Sequence, residues 1–404
     1  MKHEMKSIRD VEVLQGVRAL VRVDFNVPVE NGAVVDDFRI RKFMPTLELL
    51  REKGAKVILM SHIEASPADA AKLAKGEEPS LAPVANYLKK AGVLKDFVTN
   101  YRNAAGVIEG MADGDCILLE NLRMNLGEKK NDAKFAAELA SLADIYIDDA
   151  FAVSHRPHAS IVAITELLPS YAGLLLESEV EHLSQAFHPK RPFIFILCGA
   201  KFETKLPLIE KFISTADYVF IGGALAHNFF KEKGWAIGKS LASDADFNLK
   251  RFFADPKFSG KLLLPIDAVV LRADGTVIQK EVGPATIAPD EIIMDAGPAT
   301  VAMLVEKINS AAQILWNGPL GAYEKGYTQP TLDLARAIIA QTKKSAESIV
   351  GGGDTLAVIA DLTMNAGESV ETDFTFVSTG GGAMLDFLAN ETVPGVEALE
   401  RSST

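Results

Sequence analysis

The sequence predicts an α/β protein with mostly parallel sheets, divided into two domains. Its 404 residues exceed the roughly 250 that one hydrophobic core serves. Short β-branched apolar runs alternate with longer helix-like stretches from one end to the other, the pattern of βαβ units. The strand candidates are also too numerous for one compact sheet.

The alternation begins with "ALVRVDFN", then the helical "RKFMPTLELLREKG", the strand "AKVILMSH" and the helical "APVANYLKKAG". Further strands are expected at "DCILLENL", "DIYIDDAF", "PFIFILCGA", "YVFIGGAL", "LLLPIDAVV", "EIIMDAG", "QILWNGP", "SIVGGG" and "FTFVST". Residues 168–192, "LPSYAGLLLESEVEHLSQAFHPKRP", read as helix without a strand and end at His188-Pro189, which marks the break between domains. The segment 64–80, rich in charge, Pro and Gly without apolar period, reads as an exposed loop.

Hydrophobic residues make up 48% and charged residues 24%, ordinary globular composition that excludes disorder over most of the chain. No apolar run approaches the roughly 20 residues of a membrane span, and the N-terminal stretch lacks the apolar core of a signal peptide. The expectation is a cytoplasmic protein with no membrane partner. Cys116 and Cys198 both lie in apolar strand-like runs, as buried free thiols do in a reducing compartment. The net charge of −12 opposes nonspecific binding to nucleic acid, so any anion site is local.

In open parallel sheets ligands bind beyond the carboxyl ends of the strands. In the N-terminal half those ends carry Asp24, Asn26, His62, Arg123, His155, Arg156 and His158, with Arg39 in "DDFRIR". Converging arginines suit a small, multiply charged anion, because the guanidinium fork matches carboxylate and phosphate. Asp36 and Asp37 could equally form a solvated turn paired with Arg39 or Arg41. His62 is read as an anion or hydroxyl contact, not a base. His155 and His158 lack the companions of a zinc site.

In the C-terminal half six strands end in glycine: "CGAK", "FIGGA", "DAGP", "WNGPLG", "VGGGD" and "STGGGA". Glycine lets backbone N–H groups approach a ligand, and a helix starting just after turns its positive end toward an anion. Six such ends along one sheet edge read as a nucleotide cradle. Lys201 and Lys205 are four apart at a helix opening, so both ammonium groups can share a face toward a polyphosphate. The alternative is two exposed lysines flanking Glu203. Asp354 suits Mg²⁺ or serves as a plain N-cap. A P-loop is absent, as is a G-x-G-x-x-G at the first strand, which counts against P-loop enzymes and dinucleotide-dependent dehydrogenases.

Taken in order, "VRVDFNVP", "DDFRIR", "GAKVILMSH", "LAPVA", "LLENLR", "DDAFAVSHRPHAS", "GAKFETK", "IGGA", "WNGPLGAYE", "GGGDT" and "STGGGAMLDFL" resemble the phosphoglycerate kinase family over nearly the whole chain. The resemblance implies two Rossmann-like three-layer domains with parallel sheets joined by a hinge helix. Residues 1–168 would bind phosphoglycerate, 169–190 form the interdomain helix and hinge, and 191–387 bind nucleotide; the tail 388–404 would pack back on the first domain. It implies a monomer that moves a phosphoryl group between 1,3-bisphosphoglycerate and Mg-ADP, giving 3-phosphoglycerate and Mg-ATP, by direct in-line transfer after domain closure. A weakly active relative serving as a binding protein is the competing reading.

By the same resemblance Asp24, Asn26, Arg39, His62, Arg123 and Arg156 hold phosphoglycerate. Gly199, Lys201, Lys205, Gly223, Asn317, Pro319, Glu324, Gly353, Asp354 and Thr355 hold the nucleotide, with Glu324 on the ribose and Asp354 on Mg²⁺. Arg39, Lys205 and the helix starts at Gly353 and Gly381 stabilise the group in flight. The acceptor carboxylate is already ionised at neutral pH, so no general base is required. The chain departs from the family at "SHIEASP", where Glu64 and Ala65 stand in place of Gly and Arg, and weaker phosphoglycerate binding is expected. Ala224, Phe376, Met124 and Pro157 are smaller departures.

Overall fold

The computed structural model describes residues 3–65, 77–258, 260–360, 362 and 370–403. The chain divides into two compact units, Met1–Glu181 with Asn390–Thr404, and His182–Ala389. The boundary falls inside the helix Leu174–Ser184. The charged segment expected as an exposed loop at 64–80 lies largely on 66–76, outside the described residues.

Unit 1 is built on six parallel strands in the order Asp96–Val98, Cys116–Leu119, Lys56–Met60, Arg18–Val23, Ile145–Asp149 and Ser170–Ala172. Its central strands are buried almost throughout, as helices on both faces require. Val21, Val57, Leu59 and Leu118 pack with Phe43, Leu47 and Leu50 of the helix Phe38–Glu52 and with Val84 and Leu88 of the helix Ala82–Lys90. The strand Ser170–Ala172 lies where the sequence reads as helix. Pro169 and Gly173 bracket these three residues, and helix begins only at Leu174, where Asp149 Oδ1 accepts from the N–H groups of Leu175 at 2.8 Å and Leu176 at 3.1 Å.

Unit 2 repeats the plan with Leu262–Leu263, Tyr218–Ile221, Phe193–Leu197, Gln313–Asn317, Glu347–Gly351 and Phe376–Val377, again all parallel. Phe195 lies 4.6 Å from the Phe212 ring of the helix Phe202–Thr215, ring centre to ring centre. A second sheet was not expected. Val277–Glu281, Asp267–Leu271 and Ile292–Ala296 pair antiparallel in that order. The run "LLLPIDAVV" is cut in two by Pro265, which donates no ladder bond, so its halves join different sheets.

This corrects the expectation of six glycine ends on one edge. "DAGP" ends a strand of the antiparallel sheet, and five ends remain on the main one. A Cβ on Gly297 would lie 2.3 Å from the Asp267 carboxylate, which caps the following helix through Ala299 N at 2.9 Å and Thr300 N at 2.7 Å. Gly297 therefore makes room for a helix cap, not for a ligand.

Candidate functional site

The first site lies at the carboxyl ends of the unit 1 strands. Ser61 staples two of those ends together, accepting from Phe25 N at 2.9 Å and donating to Val23 O at 2.8 Å. Asn121 fixes the turn that carries Arg123: its Oδ1 accepts from Arg123 N at 3.0 Å, while its Nδ2 donates to Ile63 O at 3.0 Å and Pro79 O at 2.8 Å. Arg39 reaches across from the first turn of its helix to Asp24 Oδ2 at 2.6 Å and Asn26 O at 3.2 Å. Asp37 pairs with Arg41 at 2.7 Å, so Arg39 is left to the strand-end cluster.

Arg22 is a residue that strand-end reasoning passes over, because it sits inside the strand. It is fully buried, donating to Ser160 Oγ at 2.9 Å and lying 3.2 Å from His62 Nδ1. Arginine has no acceptor, so His62 Nδ1 accepts and the ring proton is on Nε2. Burial and the charges of Arg22, Arg123, Arg156 and Arg39 hold His62 well below its ordinary value. His62 is thus a neutral Nε2–H donor at physiological pH, which suits an anion or hydroxyl contact. Behind Arg22, Ser160 Oγ donates to the buried Glu128 carboxylate at 2.6 Å, so the buried guanidinium has its counter-charge one hydroxyl away.

Arg123 and Arg156 converge on one oxygen. Glu64 Oε1 accepts from Arg123 Nη1 at 2.7 Å and from Arg156 Nη1 at 3.0 Å, and Glu64 N donates to Asn26 Oδ1 at 2.9 Å. Partial burial acts to raise the Glu64 carboxyl, but the two guanidiniums override it and hold it below the usual range. Arg123 Nε is buried without a hydrogen-bond partner among the described residues. All six residues read as phosphoglycerate ligands, Asp24, Asn26, Arg39, His62, Arg123 and Arg156, belong to this one cluster.

The second site lies in unit 2. A cavity of about 340 Å³ is lined by Gly199, Gly223, Pro319, Glu324 and Asp354 from the expected nucleotide set, and by Ala224. Phe230, Leu241, Pro265, Ile293 and Leu320 give it an apolar wall that strand-end reading misses, since these residues come from helix, loop and the second sheet. Such a combination of apolar wall and few polar groups is typical of small-ligand sites. A charge separation is built in, with Glu324 and Asp354 exposed at the cavity and the Lys205 ammonium buried beside it.

Lys205 and Lys201 do not share a face. Lys201 precedes the helix Phe202–Thr215 and is exposed, whereas Lys205 is buried in its first turn. Lys205 Nζ donates to Cys198 O and, at 3.1 Å, to Asn317 Oδ1. Burial lowers its pKa, against the pull of Cys198 and Asp354. Gly318 makes this arrangement possible: at φ +96° its hypothetical Cβ would stand 2.2 Å from Cys198 O, the carbonyl that holds Lys205, a conformation L-residues avoid. Gly318 N in turn donates to Thr355 Oγ1 at 2.8 Å.

Gly353 opens the helix Gly353–Ala360, and Gly381 immediately precedes the helix Gly382–Asn390; the strands leading to them are neighbours. Asp354 lies in the first turn, where Tyr323 Oη donates to its Oδ1 at 2.9 Å. Burial, with this bond, pushes Tyr323 up to about 12. Tyr323 was not singled out from sequence, although it adjoins Glu324. Phe376 stacks on the His182 ring at 4.2 Å, while Met124 is exposed. Both thiols are buried, and burial pushes each up to about 12, so neither serves as a nucleophile.

A family model described as phosphoglycerate kinase matches residues 8–391. The phosphoglycerate kinase of Azorhizobium caulinodans is 40% identical over 399 residues, 96% of this chain and 97% of that protein. That of Dictyoglomus turgidum is 40% identical over 416 aligned positions, 99% of each. Among solved structures, the phosphoglycerate kinase of Coxiella burnetii superposes with a TM-score of 0.81 at 33% identity, covering 99% of both chains. The enzyme of Pyrococcus horikoshii gives 0.80 at 28% identity over 98% of this chain and 99% of that one. With two parallel α/β units, one ending in an arginine cluster and the other in a glycine-lined cavity, and with these relatives along its whole length, the chain belongs to the phosphoglycerate kinase family.

Proposed function

We propose that the two sites divide the family's reaction between them. The arginine cluster of unit 1 holds 3-phosphoglycerate or 1,3-bisphosphoglycerate, and the cavity of unit 2 holds ATP or ADP. The observation that carries this reading is the chain of contacts from Arg39 through Asp24 and Asn26 to Glu64, Arg123 and Arg156. It gathers three guanidiniums around one place, with the neutral imidazole of His62 4.0 Å from Asp24, as a carboxylate-plus-phosphate ligand demands. The buried Arg123 Nε, which has no partner among the described residues, supplies a further donor, and leaving it unmatched is costly.

The acceptor carboxylate needs no base, both thiols are buried and protonated, and His62 Nδ1 is already held by Arg22; in this reading the phosphoryl group passes directly. Arg39 and Lys205 stabilise its charge, together with the N–H groups at the helix starts of Gly353 and Gly381; preorganised donors of this kind outperform water. No three His, Cys, Asp or Glu side chains gather into a metal cage among the described residues. A single carboxylate beside phosphate oxygens is nevertheless the donor set that Mg²⁺ takes in nucleotide sites, and Asp354 at the cavity fits it. When bound, the ion would neutralise charge on the β- and γ-phosphates. The binding-protein alternative is not favoured, since Arg39, Lys201, Lys205 and Asp354 are all present.

Calorimetric titration of each substrate alone tests the division. Arg39→Met should lose 3-phosphoglycerate binding and retain ADP, and Lys201→Met should do the reverse. Equal weakening of both ligands by either substitution would refute the assignment.

A further inference from the structure

The Glu64 carboxylate already occupies the place on Arg123 and Arg156 that an incoming anion needs. Its backbone is anchored through Glu64 N to Asn26 Oδ1 at 2.9 Å, so release requires only side-chain rotation. The Glu64 side chain is 45% exposed, whereas that of Arg123 is 6% exposed: the acid has solvent to move into and the base does not. Glu64 also satisfies the pair incompletely. One oxygen serves both guanidiniums, and Arg123 Nε has no hydrogen-bond partner among the described residues. A phosphate dianion brings three oxygens and twice the charge, so it can match donors that a single carboxylate leaves open.

We infer that Glu64 is an internal counter-anion that gates the arginine pair: phosphoglycerate binds by displacing it, and anions too weak to displace it are excluded. This rests on the phosphoglycerate assignment above. The gate weakens the wanted ligand, because part of each binding event is spent in breaking two charge-assisted hydrogen bonds. In return it keeps a strongly cationic pair from holding inorganic anions. Arg39 is paired with Asp24, so Glu64 and Asp24 together leave the site of Arg39, Arg123 and Arg156 with one net positive charge until a ligand arrives.

The test compares the full-length parent with Glu64→Gln, which keeps volume and backbone, and Glu64→Ala, which empties the place. Calorimetry with 3-phosphoglycerate alone should show Glu64→Gln binding about tenfold tighter, or about 1.4 kcal/mol. In turnover, KM for 3-phosphoglycerate should fall in parallel while kcat stays within about twofold, the signature of a change in ground-state binding. Inhibition by inorganic sulfate should strengthen in both variants. Unchanged affinity and sulfate inhibition in a kinase that turns over normally would overturn the gate while leaving the assignment intact, as would a fall in kcat matching the fall in KM. Absence of 3-phosphoglycerate binding in parent and variants alike would overturn the assignment itself, and the gate with it.

Discussion

If Lys205 has the proposed catalytic role, replacing it by methionine should change kcat and stability by different amounts. The ammonium is buried, and its hydrogen-bond partners, Cys198 O and Asn317 Oδ1, are both neutral. Methionine removes a desolvated charge, a gain of several kcal/mol in the effective burial cost of an ion. It also strands two acceptors at about 1–3 kcal/mol each. These terms oppose one another, so the net change in stability should stay within about 2 kcal/mol. Nothing offsets the loss in the transition state: removing one preorganised donor at developing charge costs about 10²–10³ in kcat, or about 2.7–4 kcal/mol. Thermal melting beside steady-state kinetics decides the matter. A kcat within tenfold of the parent would refute the role of Lys205, and a collapse of Tm would refute the balance of burial terms.

Three further outcomes follow from the same geometry. Gly318→Ala meets a positive φ and a backbone oxygen 2.2 Å from the new Cβ; denaturant titration should show a loss of about 3 kcal/mol, with kcat reduced because the displaced carbonyl holds Lys205. Asp354→Asn should raise the Mg²⁺ concentration for half-maximal rate by about tenfold without changing KM for 3-phosphoglycerate, and an unshifted metal titration would remove Asp354 from the metal role. Burial pushes Asp295 up to about 8, above the unfolded value of about 3.9. The folded state therefore holds that proton more tightly, and stability falls as pH rises from about 4 to about 8. Asp295→Asn should remove its own share of the decline of Tm across that window, leaving the share due to Asp148 and Asp149, raised to about 6 and about 7 by burial.

Much of the site was legible because its chemistry follows the strands. Once "ALVRVDFN", "AKVILMSH", "DCILLENL" and "DIYIDDAF" are read as parallel strands, Asp24, His62, Arg123 and Arg156 fall at the same edge without knowledge of any contact. What escaped depends on packing. The three residues Ser170–Ala172 carry no period long enough to separate strand from helix, and the antiparallel sheet depends on Pro265 dividing a run that otherwise looks continuous. Spacing placed Lys201 and Lys205 on one face, but the helix starts after Lys201, so only Lys205 turns inward. The tautomer of His62 depends on a buried arginine within the strand. For Glu64 the sequence supplied an added negative charge beside a missing arginine, and only the fold shows that charge seated on both Arg123 and Arg156.

The central claim is that an acceptor held by arginines in one unit receives a phosphoryl group directly from a nucleotide held by glycine-lined turns in the other. Turnover of 3-phosphoglycerate with Mg-ATP, coupled to reduction of the acyl phosphate formed, measures it most directly. The account predicts turnover that saturates in both substrates, with a raised requirement for 3-phosphoglycerate that Glu64→Gln relieves. Absence of turnover at saturating concentrations of both, in a folded protein, would contradict it.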